Sequence, residues 1–215
     1  MSKLLGLDLM YAVMRPYQVH SRERRMHHFV DLMQLKSGMR VVDLGGSPMI
    51  WQFVKTPLDI TLVNLTYDPR TSPLGKNTGH HTFHHVVGDA CATQFASDSF
   101  DLAFSNSVIE HVGGVEKQQG LAREASRLAP RHWVQTPAKW FPLEAHTGMP
   151  FWWFYPKRMR QSLVARWYQR DSEWASMIDG TCLVTRRDLE RFFPDSKIFS
   201  ESSFGFVKSY AAYRR

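Results

Sequence analysis

The 215-residue sequence predicts an α/β protein built on a mostly parallel sheet. Two observations carry this. Short β-rich runs alternate with helical runs through most of the chain, an order that favours parallel strands joined by helices. The first β-rich run ends in Asp43, then two adjacent glycines and a helix start, which is how a strand-turn-helix approaches a ligand. With 43% hydrophobic and 22% charged residues, the composition is that of a folded globular chain with a substantial core.

Taken in order, the first 35 residues read as helical, with Leu, Met, Phe and Val spread through "RERRMHHFVDLMQL" and a stop at Ser37-Gly38. "RVVDL" reads as the first strand. Ser47 is placed to cap a helix with Pro48 at its first position, running through "MIWQFV" to Thr56-Pro57. "ITLVNL" is the second strand, and "YDPRTSPLGKNTG" is a loop rich in Pro, Gly, Asp and Asn. "HHVVGDA" holds a third strand, and residues 101–105 a fourth. "EKQQGLAREASRLAP" is an amphipathic helix carrying Leu121, Ala125 and Leu128 and closed by Pro130. "HWVQTP" is a fifth strand. Thr185-x-x-Asp188 opens another helix as a capping box, ending at Phe193-Pro194. "KIFSES" and "VKSYAAYRR" close the chain as two more strands, making seven. No internal repeat interrupts this order.

The turn after the first strand is not a dinucleotide fingerprint. That motif needs G-x-G-x-x-G, whereas Gly45 and Gly46 are adjacent and Ser47, Pro48 and Met49 follow. The motifs in their order resemble instead the class I S-adenosylmethionine-dependent methyltransferases, most closely the methyltransferase type 11 group. The resemblance rests on "VVDLGGSP", "LVNL", "VVGDA", "SFDLAFSNSVIEHV" and "HWVQTP", and is clearest over residues 38–137. It implies a Rossmann-like seven-stranded, mostly parallel sheet with helices on both faces and the last strand antiparallel. One domain is expected over residues 1–215: a helical arm at 1–37, a cofactor-binding half at 38–135, a substrate cap at 136–180, and a C-terminal helix and strands at 181–215.

The resemblance also implies S-adenosylmethionine as cofactor. Asp43 would lie near its amino-acid portion, with Gly45 and Gly46 allowing close backbone approach. Asn64 and Leu65 stand at the end of the second strand, where the family usually has an acid gripping the ribose hydroxyls. Asp89 would accept from the adenine amino group with Ala90 beside the ring. Ser105 and Asn106 would turn backbone carbonyls toward the ammonium and sulfonium. The sequence departs from the family pattern in having Ser47 for a further glycine and Asn64 for the ribose acid.

Residues 136–180 hold more aromatic surface than a connection needs: "WFPLEAHTGMPFWWFYP", then a basic segment with Met159, Leu163, Trp167 and Tyr168 on one side. This stretch is expected to cover the crevice. Trp140, Trp152 and Trp153, with Glu144, are candidate substrate contacts, as are Tyr17, His20 and Tyr11 of the N-terminal arm. His146 (partnered by Glu144) and His111 are the candidate bases for an acceptor that must lose a proton. The cluster His80, His81, His84 and His85 invites a metal reading. On a strand, however, neighbouring rings point to opposite faces, and no Cys or acid completes a set, so no metal is expected.

The formal charge of +7 lies wholly in residues 123–170, which carry nine Lys or Arg against Glu124 and Glu144. Such an excess suits an anionic substrate, nucleic acid or a membrane surface, or is simply a solvated face. Against nucleic acid, the fourth strand ends in Ser-Asn-Ser without the Pro-Pro of amino-group base methylation, and no Pro-Cys pair is present. Peripheral membrane contact through "PFWWFYPKRMRQ" is a less favoured alternative, and a non-catalytic relative is another. The expected partner is a small molecule, anionic or aromatic. Cys91 and Cys182 lack metal or redox spacing and the N-terminus is a poor signal peptide, so the expected compartment is the cytoplasm.

Overall fold

The computed structural model describes residues 5–66, 80–144 and 146–215, with side chains from residue 15 onward. The expected loop at 67–79 and the Tyr11 side chain lie outside the described residues. Seven strands form one sheet in the order β3-β2-β1-β4-β5-β7-β6. They are β1 (Arg40–Leu44), β2 (Asp59–Asn64), β3 (Thr82–Val87), β4 (Leu102–Asn106), β5 (His132–Pro137), β6 (Lys197–Ser203) and β7 (Phe206–Arg214). Strands β1 to β5 pair in parallel, and β7 runs antiparallel to both β5 and β6.

Alternation along the strands gives the sheet two apolar faces. Val42, Leu44, Ala103 and Val134 pack on one side against α3 (Val115–Leu128) and α6 (Arg186–Phe192) through Leu121, Ala125, Leu128 and Leu189. Val41, Ile60, Leu62, Leu102, Phe104 and Trp133 pack on the other against Met26, Phe29 and Met33 of α1 (Leu5–Met33). The capping box at Thr185 and Asp188 forms as expected.

The helix after the glycine turn is much shorter than the sequence suggested. It is α2, Pro48–Trp51, and Ser47 makes no side-chain cap bond. Trp51 is fully buried and holds its indole against Asp43 of β1, and residues 52–58 lead from the helix back to β2 as turn and coil. The fourth strand also runs one residue further than expected, through Asn106.

Residues 136–180 have a small apolar centre of their own. Trp152 and the helices α4 (Lys157–Tyr168) and α5 (Ser172–Asp179) bury Trp152, Val164, Trp167, Ala175 and Ile178 together. Trp152 and Trp167 stack with centroids 5.2 Å apart. Of the expected apolar stripe on α4, Trp167 is buried under α5 while Met159 and Tyr168 stay exposed. Much of that amphipathic pattern is thus explained by packing within the chain. Among the described residues, no helix is long and apolar enough to cross a membrane.

Candidate active site

The Gly45–Gly46 turn at the C-terminal end of β1 is the saddle between two cavities, and Gly45, Gly46 and Ser47 line both. Each glycine is required for its own reason. Gly45 sits at φ +82°, and a Cβ there would come within 2.5 Å of Val108. Gly46 faces the Asp43 carboxylate so closely that a Cβ would stand 1.8 Å from Oδ2. Asp43 is fully buried; its Oδ2 accepts from Trp51 Nε1 at 2.9 Å, while Oδ1 has no partner among the described residues. Burial pushes its pKa up to about 7 against the lowering effect of the Trp51 bond.

The larger cavity, about 710 Å³, lies beyond β2 and β3 and holds the strand-end residues singled out from the sequence: Asn64, Leu65, Asp89 and Ala90. Asn64 Nδ2 donates to the Gly46 carbonyl at 3.1 Å. The amide therefore ties β2 to the glycine turn, which an acid at this position could not do. Asp89 accepts from the Cys91 N–H at 2.8 Å and from Lys117 Nζ at 2.7 Å. These bonds, Lys117 first, hold its carboxyl below the usual range. Leu65 is 74% exposed at the rim and Ala90 is buried in the wall. Lys117 had no signal in the sequence beyond lying in an amphipathic helix.

The smaller cavity, about 630 Å³, lies on the other side of the turn, walled by α1, β7 and the 136–180 segment. Among its lining residues, Tyr17, Glu144, Trp153 and Asn106 were expected near a ligand. Ser105 lines neither cavity: it is buried, and its hydroxyl donates to the Leu44 carbonyl, joining β4 to β1. Trp152 sits 2% exposed in the apolar centre of the cap, so Trp153 rather than Trp152 reaches the cavity. Trp140 is 67% exposed and stacks on Phe154 outside the cavity wall. His20 is exposed on α1, also away from the lining.

The same cavity contains residues that sequence reasoning missed: Arg15, Arg22, Arg25 and Lys208. Arg25 Nε donates to Glu201 Oε2 at 2.9 Å and its Nη1 to Asn106 Oδ1 at 2.7 Å. Ser21 and Ser209 also donate to Glu201, and Lys208 contacts Ser21. This buried network pins α1 across the strand ends. Burial would raise Glu201, but Arg25 and the hydroxyls override it and hold the carboxyl low. Lys208 is pulled down to about 8 by burial, a fall that Glu201 resists and that Arg25, Arg22 and Arg24 reinforce. Glu201 is 176 residues from Arg25, so no local pattern could have shown the pairing.

Between the cavities lies a chain of titratable groups that includes both candidate bases. Glu144 is held by its own turn, with Oε2 accepting from the N–H groups of His146 and Thr147 at 2.8 and 2.6 Å. Its Oε1 lies 2.8 Å from His146 Nδ1. His146 Nε2 is 2.9 Å from His111 Nε2, and the two rings meet edge to face. Thr181 Oγ1 is 3.3 Å from His111 Nδ1. Burial opposes the charge on both Glu144 and His146, but each stabilises the other's charge: the carboxyl ends below its ordinary value and the imidazole above. Burial, aided by His146, pushes His111 down to about 4. His111 lines the larger cavity and Glu144 the smaller.

The histidines of "HHTFHH" disperse as expected of a strand. His84 meets Asp59 at 2.7 Å, His81 meets backbone carbonyls of Trp51 and Val54, and His85 lines the larger cavity.

Residues 45–131 match the family model described as a methyltransferase domain, of the type 11 group. Among curated proteins no sequence match was found. Solved structures share the fold at low identity. A SAM-dependent methyltransferase from Methanosarcina mazei is 12% identical with a TM-score of 0.52, over 83% of this chain and 92% of that one. Magnesium protoporphyrin IX methyltransferase from Synechocystis, solved with bound SAM, is 12% identical with a TM-score of 0.54, over 91% and 80%. A phosphoethanolamine N-methyltransferase 2 from Haemonchus contortus, in complex with phosphomonomethylethanolamine and S-adenosylhomocysteine, is 14% identical with a TM-score of 0.54, over 82% of this chain and 38% of that one. Residues 45–131 thus match a methyltransferase domain, and the chain shares the fold of solved S-adenosylmethionine-dependent methyltransferases.

Proposed function

We propose that the protein transfers the methyl group of S-adenosylmethionine to the oxygen or nitrogen of a small acceptor that carries an anionic group. The observation that carries the acceptor class is the cluster of Arg15, Arg22 and Lys208 on the wall of the smaller cavity. Arg25 on the same wall is already matched by Glu201. Cationic groups beside a half-enclosed cavity favour an anionic ligand, and the enclosure suits a metabolite better than a polymer. Phosphomonomethylethanolamine, bound by one structural neighbour, is an anionic molecule of this size.

The residues present fit the cofactor. Asp43 keeps one buried carboxylate oxygen unpartnered beside a glycine that admits no side chain, so a cationic amino group has a charged acceptor there. Asn64, Leu65, Asp89 and Ala90 line the cavity on the adenosine side. Asn106, and not Ser105, lines the acceptor side. The cofactor supplies an activated methyl group on a sulfonium. The protein's part is to align the acceptor, exclude water and take up a proton. The 136–180 segment, through Trp153 and Glu144, walls the acceptor off. The His111–His146 pair takes the proton, with Glu144 orienting His146. Both cysteines are free thiols, and on that ground we assign the protein to a reducing, cytoplasmic compartment.

Calorimetric titration with S-adenosylhomocysteine tests the cradle. Micromolar binding that is lost in Asp43→Ala supports it, and absence of binding to the wild type sinks it. A screen of phosphorylated and carboxylated acceptors against their neutral analogues then tests the acceptor class. Equal turnover of the neutral set would overturn the anionic assignment.

A further inference from the structure

We infer that Glu110, His111 and His146 form a binding site for one divalent transition-metal ion. One donor atom from each lies within 4.8 Å of the others. The two imidazole Nε2 atoms are 2.9 Å apart. Two nitrogens bound at about 2.1 Å stand about 3.0 Å apart at right angles on an octahedral ion and about 3.4 Å apart on a tetrahedral one, so the pair would open slightly for the latter. The same 2.9 Å also suits a single shared proton, so the distance alone does not choose between cation and proton.

Glu110 supplies the second observation. It is fully buried; Oε2 accepts from Thr136 Oγ1 at 3.0 Å, and Oε1 has no partner among the described residues. A buried carboxylate oxygen without a donor is costly unless something positive meets it. A cation bound by the two imidazoles is positioned to do so, with the carboxylate drawing inward to join them.

The surroundings have the construction of a metal site one layer out. Each ligand is oriented by a further group: His146 Nδ1 by Glu144 Oε1 at 2.8 Å, His111 Nδ1 by Thr181, and Glu110 by Thr136. A carboxylate on the far nitrogen of a ligating histidine fixes its tautomer and raises its basicity. Glu144 is itself locked by two backbone N–H groups. Two imidazoles and one carboxylate suit zinc, cobalt, manganese or iron(II), and three protein ligands leave positions open. Each Nε2 has one lone pair, so cation and proton compete for the same histidines: a bound cation takes the pair out of the proton-accepting role proposed above, and binding tightens as pH rises. This site stands whether or not the chain transfers methyl groups.

Chelator-treated full-length protein is titrated with Co²⁺, followed by calorimetry and by visible absorption of the bound ion. The expected result is one Co²⁺ per chain with the absorption of an ion held by nitrogen and oxygen. Affinity should fall at least ~100-fold in His146→Ala and Glu110→Gln, and about 10–100-fold in Glu144→Gln, which touches no metal. Circular dichroism establishes that each variant is folded; Glu144→Gln and His146→Ala keep the test open if Glu110→Gln does not fold. No saturable binding to the wild type overturns the site. So does binding that survives His146→Ala, or that disappears only when His80, His81, His84 and His85 are replaced.

Discussion

The two cavities flanking Gly45–Gly46 are built in opposite ways. The larger takes its walls from residues 45–117, and most of them stand at consecutive strand ends. The smaller draws on α1, the glycine turn, the 136–180 segment and β7, so its walls come from nearly the whole length of the chain. Their chemistry differs as well. The first is weakly charged, with Asp89 already paired to Lys117, whereas the second is basic. A cavity assembled from adjacent loops can keep one ligand while the distant walls of its neighbour change to suit another. On the function proposed above, cofactor recognition falls to the first and acceptor recognition to the second.

Gly46→Ala should break the division most severely, because the two cavities share this turn. Its Cβ has no room beside Asp43, and overpacking of about 1–3 kcal/mol predicts a loss of S-adenosylhomocysteine affinity of up to ~100-fold by calorimetry. Unchanged affinity would show that the turn is not the cradle.

The next largest effect concerns Asp43 and pH. Its pKa in the folded protein, about 7, is above that of the unfolded chain, so between pH 4 and 7 the folded state binds more protons. The ligand-free protein therefore loses stability through this residue as pH rises across that window. Asp43→Asn removes the dependence. Its melting temperature relative to wild type should climb with pH, by about 6–12 °C between pH 4.5 and 7.5. A difference that stays flat with pH would mean that Asp43 carries no such strain.

Lys208→Ala separates the cavities. It should raise KM for an anionic acceptor about tenfold and leave S-adenosylhomocysteine affinity within about twofold. Because burial pulls Lys208 down to about 8, acceptor binding in the wild type should weaken as pH passes through 8. Lys208→Arg should keep binding flat there. Equal loss of cofactor and acceptor binding in Lys208→Ala would erase the distinction between the two cavities.

Asn64→Asp gives the smallest and most pointed test. The family's usual acid would be expected to help a ribose contact. Here, however, it removes the donor to the Gly46 carbonyl and sets two acceptors against each other. A lost bond of about 1 kcal/mol predicts cofactor affinity about fivefold weaker, not stronger. A gain would show that the tie to the turn is dispensable.

Much of the lining around the glycine turn was legible beforehand. Asp43, the two glycines, Asn64, Asp89 and Ala90 lie where strand ends meet loops, and strand ends show in hydrophobic alternation and turn residues. Ser105 was expected to turn its backbone carbonyl toward the cofactor; it is buried and lines neither cavity, while Asn106 one residue on does, because the strand ends there. Trp152 and Trp153 are neighbours of identical chemistry, yet one is core and one is wall, since a single backbone step turns them to different sides. The short α2 was hidden for a related reason: helical propensity continues past Trp51, but burial of its indole against Asp43 forces the turn.

The sequence by itself determined the strands, the capping box at Thr185, and a turn where only glycine allows close approach. These are local matters of side-chain period, of φ and of backbone space. Even the Glu144–His146 contact is local, since the two residues are two apart. Tertiary structure alone decided that His111 would meet His146 across 35 residues, that Glu110 would be buried with an oxygen unmatched, and that Arg25 would cross the strand ends to Glu201. Those contacts follow from where the cap and α1 come to rest on the sheet. That docking is driven by burying apolar surface, a force without direction, and the polar partners it brings together leave no pattern in the chain.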